Sequence, residues 1–385
     1  MTDISTKIAR NTFLNFISTV IRFGFAFLIS IFVTRLLGPT NFGIYGLLMF
    51  AITCLILLGG LGFDNSITKY VSEFTGRNDK KTIENLLGFA FRIRIVSVTV
   101  IALILLAIAF YAEYVYSNEL YKIYIVILAV NSIPLGISGI FNAGITGFQK
   151  YKYITISVAI ISPINLFLTV IVLFLGYGIT GLLAVGIVSS AIGATISCIL
   201  LHKLTNIKIH KPDLDPEIKK RFIGYSLHIV AISFLDMIVW QKSEVFFLGI
   251  FRSASEVGFY TLAYSLSMYI VRTIPNMFSG VLMPAMSELY GADKKESLSR
   301  LFVGSTRYLM MIAIPLCVIG IVLAEPIIQI IYGSAYLPAV TALRILLVSA
   351  TIAAVSSAAS SAIYGIGRAD LIFKFGLVVA ITNIV

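Results

Sequence analysis

Phe42-Gly43-Ile44-Tyr45 returns 215 residues later as Val257-Gly258-Phe259-Tyr260. The same offset pairs Ser72-Glu73 with Ser287-Glu288, Gly76 with Gly291 and Arg92 with Arg307. Leu37-Gly38 has its counterpart in Leu248-Gly249, displaced by a four-residue insertion. Further on, Gly147, Lys150, Ile154 and Asn165 match Gly365, Arg368, Ile372 and Asn383 at an offset of 218. A spacing held over fifty residues marks an internal repeat, and the repeat organises everything around it.

The repeated material is apolar. Of 385 residues, 58% are hydrophobic and 12% charged, and mean hydropathy is +0.98. Soluble domains carry about 45–50% apolar residues and about a quarter charged, so a water-soluble enzyme is excluded. Disorder is excluded as well, because it needs low hydrophobicity. A bilayer core of about 30 Å takes about 20 apolar residues as a helix. Ten complete stretches of that kind are present: Thr12–Leu36, Phe42–Phe63, Ile93–Ala112, Ile123–Gly147, Tyr153–Gly176, Ile179–Leu201, Phe222–Phe251, Gly258–Met283, Tyr308–Ala324 and Pro338–Gly365. An eleventh begins near Leu371. Strand-like alternation, the signature of a membrane barrel, is absent.

The sequence therefore predicts an all-α, polytopic transmembrane helical bundle. Six spans separate the two copies of the repeat, so both insert in the same orientation. The expected architecture is two pseudo-symmetric six-helix lobes about an axis along the membrane normal. The N-terminal lobe takes residues 1–201, a basic cytoplasmic linker 202–221 and the C-terminal lobe 222–385. The second copy stops inside its fifth span, which predicts a truncated second lobe and a chain that is a fragment.

Loop charge sets the expected orientation. Nineteen of 29 Lys and Arg residues fall in the N-terminal segment and the even-numbered loops, and only Arg35, Lys122 and Arg252 fall in the others. That asymmetry places the N-terminus in the cytoplasm. It also accounts for the net charge of +11 without nucleic acid, leaving anionic membrane lipids as the attracted partner. The first span is too long for a signal peptide and lacks a small-residue cleavage site, so it stays in the mature protein. Cys54, Cys198 and Cys317 lie in apolar runs with no zinc or disulfide spacing. His202, His210 and His228 are scattered, so no metal, cofactor or catalytic constellation is expected. No phosphate-loop motif is present, so the chain carries no ATPase of its own.

Charges inside the spans carry the functional signal, because an ionised group near the bilayer centre costs about 2.5–3.5 kcal/mol on insertion scales. Asn15, Thr19, Arg22, Ala26, Ser30 and Thr34 share one face of the first span. The eighth repeats the pattern with Ser265, Tyr269, Arg272, Asn276 and Ser279, and the seventh carries Ser233, Asp236, Trp240 and Glu244, with Lys242 turned away. Arg22, Lys242 and Arg272 are the candidates for holding a phosphate or sugar, since cations hold anionic groups and a guanidinium fork grips two phosphate oxygens. Asp236 and Glu244 are candidate counter-charges or coupling-ion sites. The alternative is structural ion pairing of Arg22 or Arg272 with Asp236 or Glu244. Arg92, Arg94 and Arg307 sit at cytoplasmic span ends and are expected to snorkel to head groups. Pro134, Pro163, Pro275 and Pro315 fall inside spans, as static bends or hinges.

Arg35-Leu36-Leu37-Gly38-Pro39-Thr40-Asn41-Phe42-Gly43-Ile44-Tyr45 resembles the opening signature of polysaccharide-biosynthesis flippases. Gln241-Lys242-Ser243-Glu244, Phe247-Leu248-Gly249 and Val257-Gly258-Phe259-Tyr260 resemble the matching segment of their second half. These flippases belong to the multidrug/oligosaccharidyl-lipid/polysaccharide (MOP) exporter superfamily. The resemblance implies twelve to fourteen spans, a central cavity and alternating access. It implies polyprenyl-pyrophosphate-linked oligosaccharide as the cargo, moved from inner to outer leaflet of the cell membrane. A monomer is expected, with the glycan polymerase and glycosyltransferases of the same pathway as partners. The alternatives are lipid II or a multidrug cation on the same scaffold and, from a different class, a membrane-bound glycan polymerase or ligase.

Overall fold

The structure is a computed structural model that describes residues 2–116, 119–205, 213–240, 243–272, 282–283, 285–366 and 368–384. Among these residues it is helical, with no strand. Seven helices are long and apolar enough to cross a membrane. The first of them, Phe13–Gly60, has 48 residues, about 72 Å at 1.5 Å per residue, enough for two crossings.

That long element is α1 (Thr2–Gly60), and it holds the first two predicted spans. They are separated by a single non-helical residue, Gly38, at φ 72° and ψ 170°. An L side chain is disfavoured at that φ, and Pro39 then removes one backbone donor, so the chain turns here with minimal loss of helix. A second break follows at Leu61 and Gly62, with φ of 48° and 67°. It leads into α2 (Phe63–Gly76), α3 (Lys80–Tyr116), α4 (Glu119–Gly147), α5 (Tyr151–Phe174) and α6 (Gly178–Thr205). Past the linker come α7 (Pro216–Trp240), α8 (Ser243–Phe251) and α9 (Ala254–Ser267). Then follow α10 (Lys295–Val322), α11 (Ala339–Gly365) and α12 (Ala369–Ile384).

The chain forms two compact units, Met1–Leu36 with Leu48–Phe234, and Leu37–Leu47 with Leu235–Val385. The core of the first unit lies around α2. Ile67, Leu86, Leu87, Ile140, Ile145 and Phe222, from α2, α3, α4 and α7, are within 1% of full burial. The Phe222 ring meets Phe63 at 5.0 Å and Tyr70 at 5.7 Å. Beside this core, Ser226 of α7 donates to Ser66 of α2 at 2.7 Å, both side chains buried. A Cβ at Gly62 would collide with the Ser226 carbonyl, so glycine is required there for space as well as for φ. Further along, α4 and α6 are tied by Ser190 donating to Asn131 and Ser197 donating to Asn142, at 2.7 and 3.0 Å. Such hydrogen bonds between small polar side chains hold helices together where lipid offers no hydrophobic drive.

In the second unit, the buried face of α11 runs Ala339, Leu343, Leu347, Ala350, Ala354, Ala358 and Ser361 at helical spacing. Outward, large apolar side chains stay exposed: Phe174 is 70% exposed, Ile345 65% and Phe251 75%. A protein that turns such residues outward along its long helices is built for lipid contact. It is a multi-pass membrane protein.

Candidate functional site

The repeated glycines meet each other. In the second unit, a Cβ built on Gly43 would stand 2.9 Å from the Gly258 nitrogen, and one built on Gly258 would stand 3.2 Å from the Gly43 nitrogen. Residues that the repeat makes equivalent thus pack backbone to backbone within the second unit. Backbone rather than side chain forms the contact: a Gly43 Cβ would fall inside the Ala254 carbonyl, and a Gly258 Cβ inside the Pro39 carbonyl. Phe42 and Phe259 close over it, each with its ring 6.2 Å from buried Tyr336.

Within the first unit, the break between α1 and α2 opens a cavity of about 200 Å³. The end of α1 leaves the Gly59 carbonyl without an intrahelical partner, as at any helix C-terminus. Arg94 Nη1 and Ser97 Oγ donate to it at 3.1 and 2.9 Å. Arg94 Nη2 donates to Asp64 Oδ1, closing an ion pair across the break. A cation at the end of one helix and an anion in the first turn of the next both suit the helix dipoles. Two glycines of α4 make the room: a Cβ at Gly139 would lie 3.0 Å from Asp64 Oδ2, and one at Gly136 would lie 3.5 Å from Arg94 Cδ. Asn131, Ser132 and Ser138 add polar lining, and Ile52, Leu55 and Ile101 line the apolar part.

Arg94 therefore corrects the sequence expectation. It does not snorkel. Its side chain is 2% exposed and ion-paired, whereas Arg92 and Arg307 are exposed. Two residues along a helix differ by about 200° in direction, so adjacent cations on α3 meet opposite surroundings. Hydropathy could not find the Asp64–Arg94 pair, because Asp64 lies one residue beyond the predicted end of its span.

The polar face of the first span is only partly available. Thr19, Ser30 and Thr34 donate back to carbonyls of α1 itself, at 2.8, 2.7 and 2.6 Å. Arg22 is exposed and has no ion-pair partner among the described residues. Glu244 is half-buried at the start of α8 and shares a hydrogen bond with the Tyr260 hydroxyl in the second unit. Lys242 lies outside the described residues, as do the side chains of Asp236 and Arg272. The backbone at Met268–Arg272 is a π-helical turn. That turn breaks the regular spacing expected to put Ser265, Tyr269 and Arg272 on one α-helical face. Among the described residues, no group of three His, Cys, Asp or Glu side chains is placed to hold a metal ion.

Residues 32–341 match the family described as Polysaccharide biosynthesis protein. The chain belongs to this family. No curated protein matches the sequence. Among solved structures, it is similar to an inward-facing MATE family multidrug resistance transporter of the MOP superfamily: TM-score 0.75, 18% identity, covering 95% of this chain and 83% of that one. It is also similar to a MOP superfamily transporter from Pyrococcus furiosus, whose binding pocket is described as having reverse polarity. That match has a TM-score of 0.66 and 18% identity, covering 98% of this chain and 84% of that one. A crystal structure of a MATE P26A mutant matches with TM-score 0.65 at 18% identity, covering 98% and 84%. At these identities the likeness establishes the fold: this polysaccharide biosynthesis family member has the two-lobe architecture of MATE transporters.

Proposed function

We propose that the protein is a flippase that moves a polyprenyl-pyrophosphate-linked oligosaccharide across the cell membrane by alternating access. The observation that carries this reading is the polysaccharide-biosynthesis family match over residues 32–341 on a chain with a transporter fold. In this reading the phosphates and sugars cross in a polar cavity while the polyprenyl tail stays in lipid. Arg22, Lys242 and Arg272 contact phosphate or sugar, with Asp236 and Glu244 as counter-charges or coupling-ion sites. The exposed Arg22 guanidinium supports a role toward an anionic group, because an ionised side chain within a span needs a partner or water. The N-terminus is cytoplasmic, the N-terminal lobe spans 1–201 and the C-terminal lobe begins at 222. The protein works as a monomer alongside the polymerase and glycosyltransferases of its pathway, and is not itself an enzyme.

The test is leaflet exchange of a labelled polyprenyl-pyrophosphate glycan in liposomes containing the purified protein. Exchange without covalent change supports the reading, and new glycosidic bonds refute it. Arg22→Ala should lower exchange at least about tenfold, equivalent to about 1.4 kcal/mol of lost anion stabilisation, while leaving the amount of folded protein unchanged. Unchanged exchange removes Arg22 from the substrate path.

A further inference from the structure

We propose that Asp64, Arg94 and the cavity they line form a proton-binding site in the first unit, where a proton competes with Arg94 for the Asp64 carboxylate. As a coupling-ion site it rests on the transport reading above; as a proton site it does not.

Four observations carry it. First, the two members of the pair face different surroundings: the Asp64 side chain is 44% exposed, and Arg94 2%. Asp64 lines the 200 Å³ cavity together with Asn131, Ser132 and Ser138, and a cavity of that size and polarity has room for several waters. Second, Arg94 engages Oδ1 only, and Oδ2 has no hydrogen bond among the described residues, so it is the atom a proton reaches. Third, Arg94 Nε is buried without a partner. The guanidinium is thus held by Gly59 and Asp64 but is not fully satisfied there. Fourth, the pair has no counterpart in the repeat. At the offset of 215, Ser279 stands for Asp64 and Leu309 for Arg94. Leu309 is 2% exposed, so a buried leucine occupies the equivalent place on α10. The fold does not need an ion pair in that place.

The step balances simply. A hydronium ion in the cavity gives its proton to Asp64 Oδ2 and leaves water, the carboxylate becomes neutral, and its attraction for Arg94 is lost. Arg94 keeps the Gly59 carbonyl, while the tie across the α1–α2 break is released. Other charges do not confuse the site. Among the described residues, Asp64 and Arg94 are the only charged ones lining the cavity, and α1 and α4 bring none to it. On α7, which reaches Gly62 through Ser226 and Ile229, His228 is exposed and bonded to the Gly224 carbonyl. On α2, Lys69 lies over the Tyr225 ring, and on α3 Arg92 is exposed.

The experiment is infrared difference spectroscopy of the full chain in lipid nanodiscs, titrated between about pH 9 and about pH 4. The proposal expects a protonated-carboxyl band that Asp64→Asn removes. Arg94→Leu, which copies the second half, should keep the band and move its midpoint upward by about one pH unit or more, because an opposite charge no longer favours the carboxylate. Gly139→Ala, which crowds Oδ2, should also shift the midpoint and serves if Asp64→Asn fails to fold. A band unchanged in all three variants overturns the proposal, even if their stability falls. No glycan is involved, so a missing band beside intact glycan exchange refutes this site alone. A present band beside absent exchange refutes the flippase reading alone.

Discussion

Gly43→Ala tests the close backbone contact between Gly43 and Gly258. In an ordinary helix this change stabilises by about 1 kcal/mol, through higher helix propensity. Here the new methyl carbon would overlap the Ala254 carbonyl oxygen and lie 2.9 Å from the Gly258 nitrogen. Non-bonded heavy atoms pack at about 3.5 Å, so the two backbones must separate by more than about 1 Å. Both obstacles are main chain, and no rotamer change relieves them. Overpacking of this kind costs about 1–3 kcal/mol, and the separation also loosens Phe42 and Phe259 from Tyr336. Set against the propensity gain, this leaves a net loss of up to about 2 kcal/mol, against a gain at a glycine with free space. Gly304→Ala on α10 is the matched control, because nothing lies within 4 Å of its Cβ position. Thermal unfolding of both variants in detergent, read as loss of the monodisperse folded peak, should move in opposite directions. Equal stability of the two variants would refute the close backbone contact.

Two further outcomes follow from the first unit. Thr82 donates to the Asp79 carboxylate from its backbone nitrogen at 3.0 Å and its hydroxyl at 2.6 Å, capping α3 and holding the Asp79 carboxyl below the usual carboxylate range. Asp79→Ala should therefore destabilise by about 1 kcal/mol near neutral pH. A carboxyl whose folded value is depressed stabilises above its unfolded value, about 3.9, and loses that contribution as pH falls through the folded value. Wild type and variant should hence converge in acid, and parallel pH profiles would contradict the cap. Separately, Ser226→Ala should cost about 1 kcal/mol by removing the partner of Ser66, whereas the double change with Ser66→Ala should cost less than the sum of the two singles. A denaturation cycle measures the coupling, and strict additivity would refute it.

Much of the architecture was legible in the chain because it is periodic. Apolar runs of membrane length give the helices, and the offset of 215 names Gly43 and Gly258 as equivalents before any contact is known. What stayed hidden depends on single residues and on neighbours. The predicted gap between the first two spans is one residue of unusual φ, which hydropathy averages away. The predicted eighth span turns π-helical at Met268, a limit that apolarity does not mark. Arg94 reads like Arg92 in sequence, and only the space left by Gly136 and Gly139 on α4 explains why one of them goes inside.

The placement of Leu37–Leu47 in the second unit has a consequence for biosynthesis. This segment leaves the ribosome 215 residues before Gly258, the backbone it must pack against. At about 5–20 residues per second, it waits about 10–40 s in the membrane with its glycine face open. The first unit can complete its core in that interval, but the second must assemble around a strand of polypeptide made long before it. A translational pause ahead of Ala254 would lengthen the wait, and a split after Phe234 would leave each product short of a proper partner.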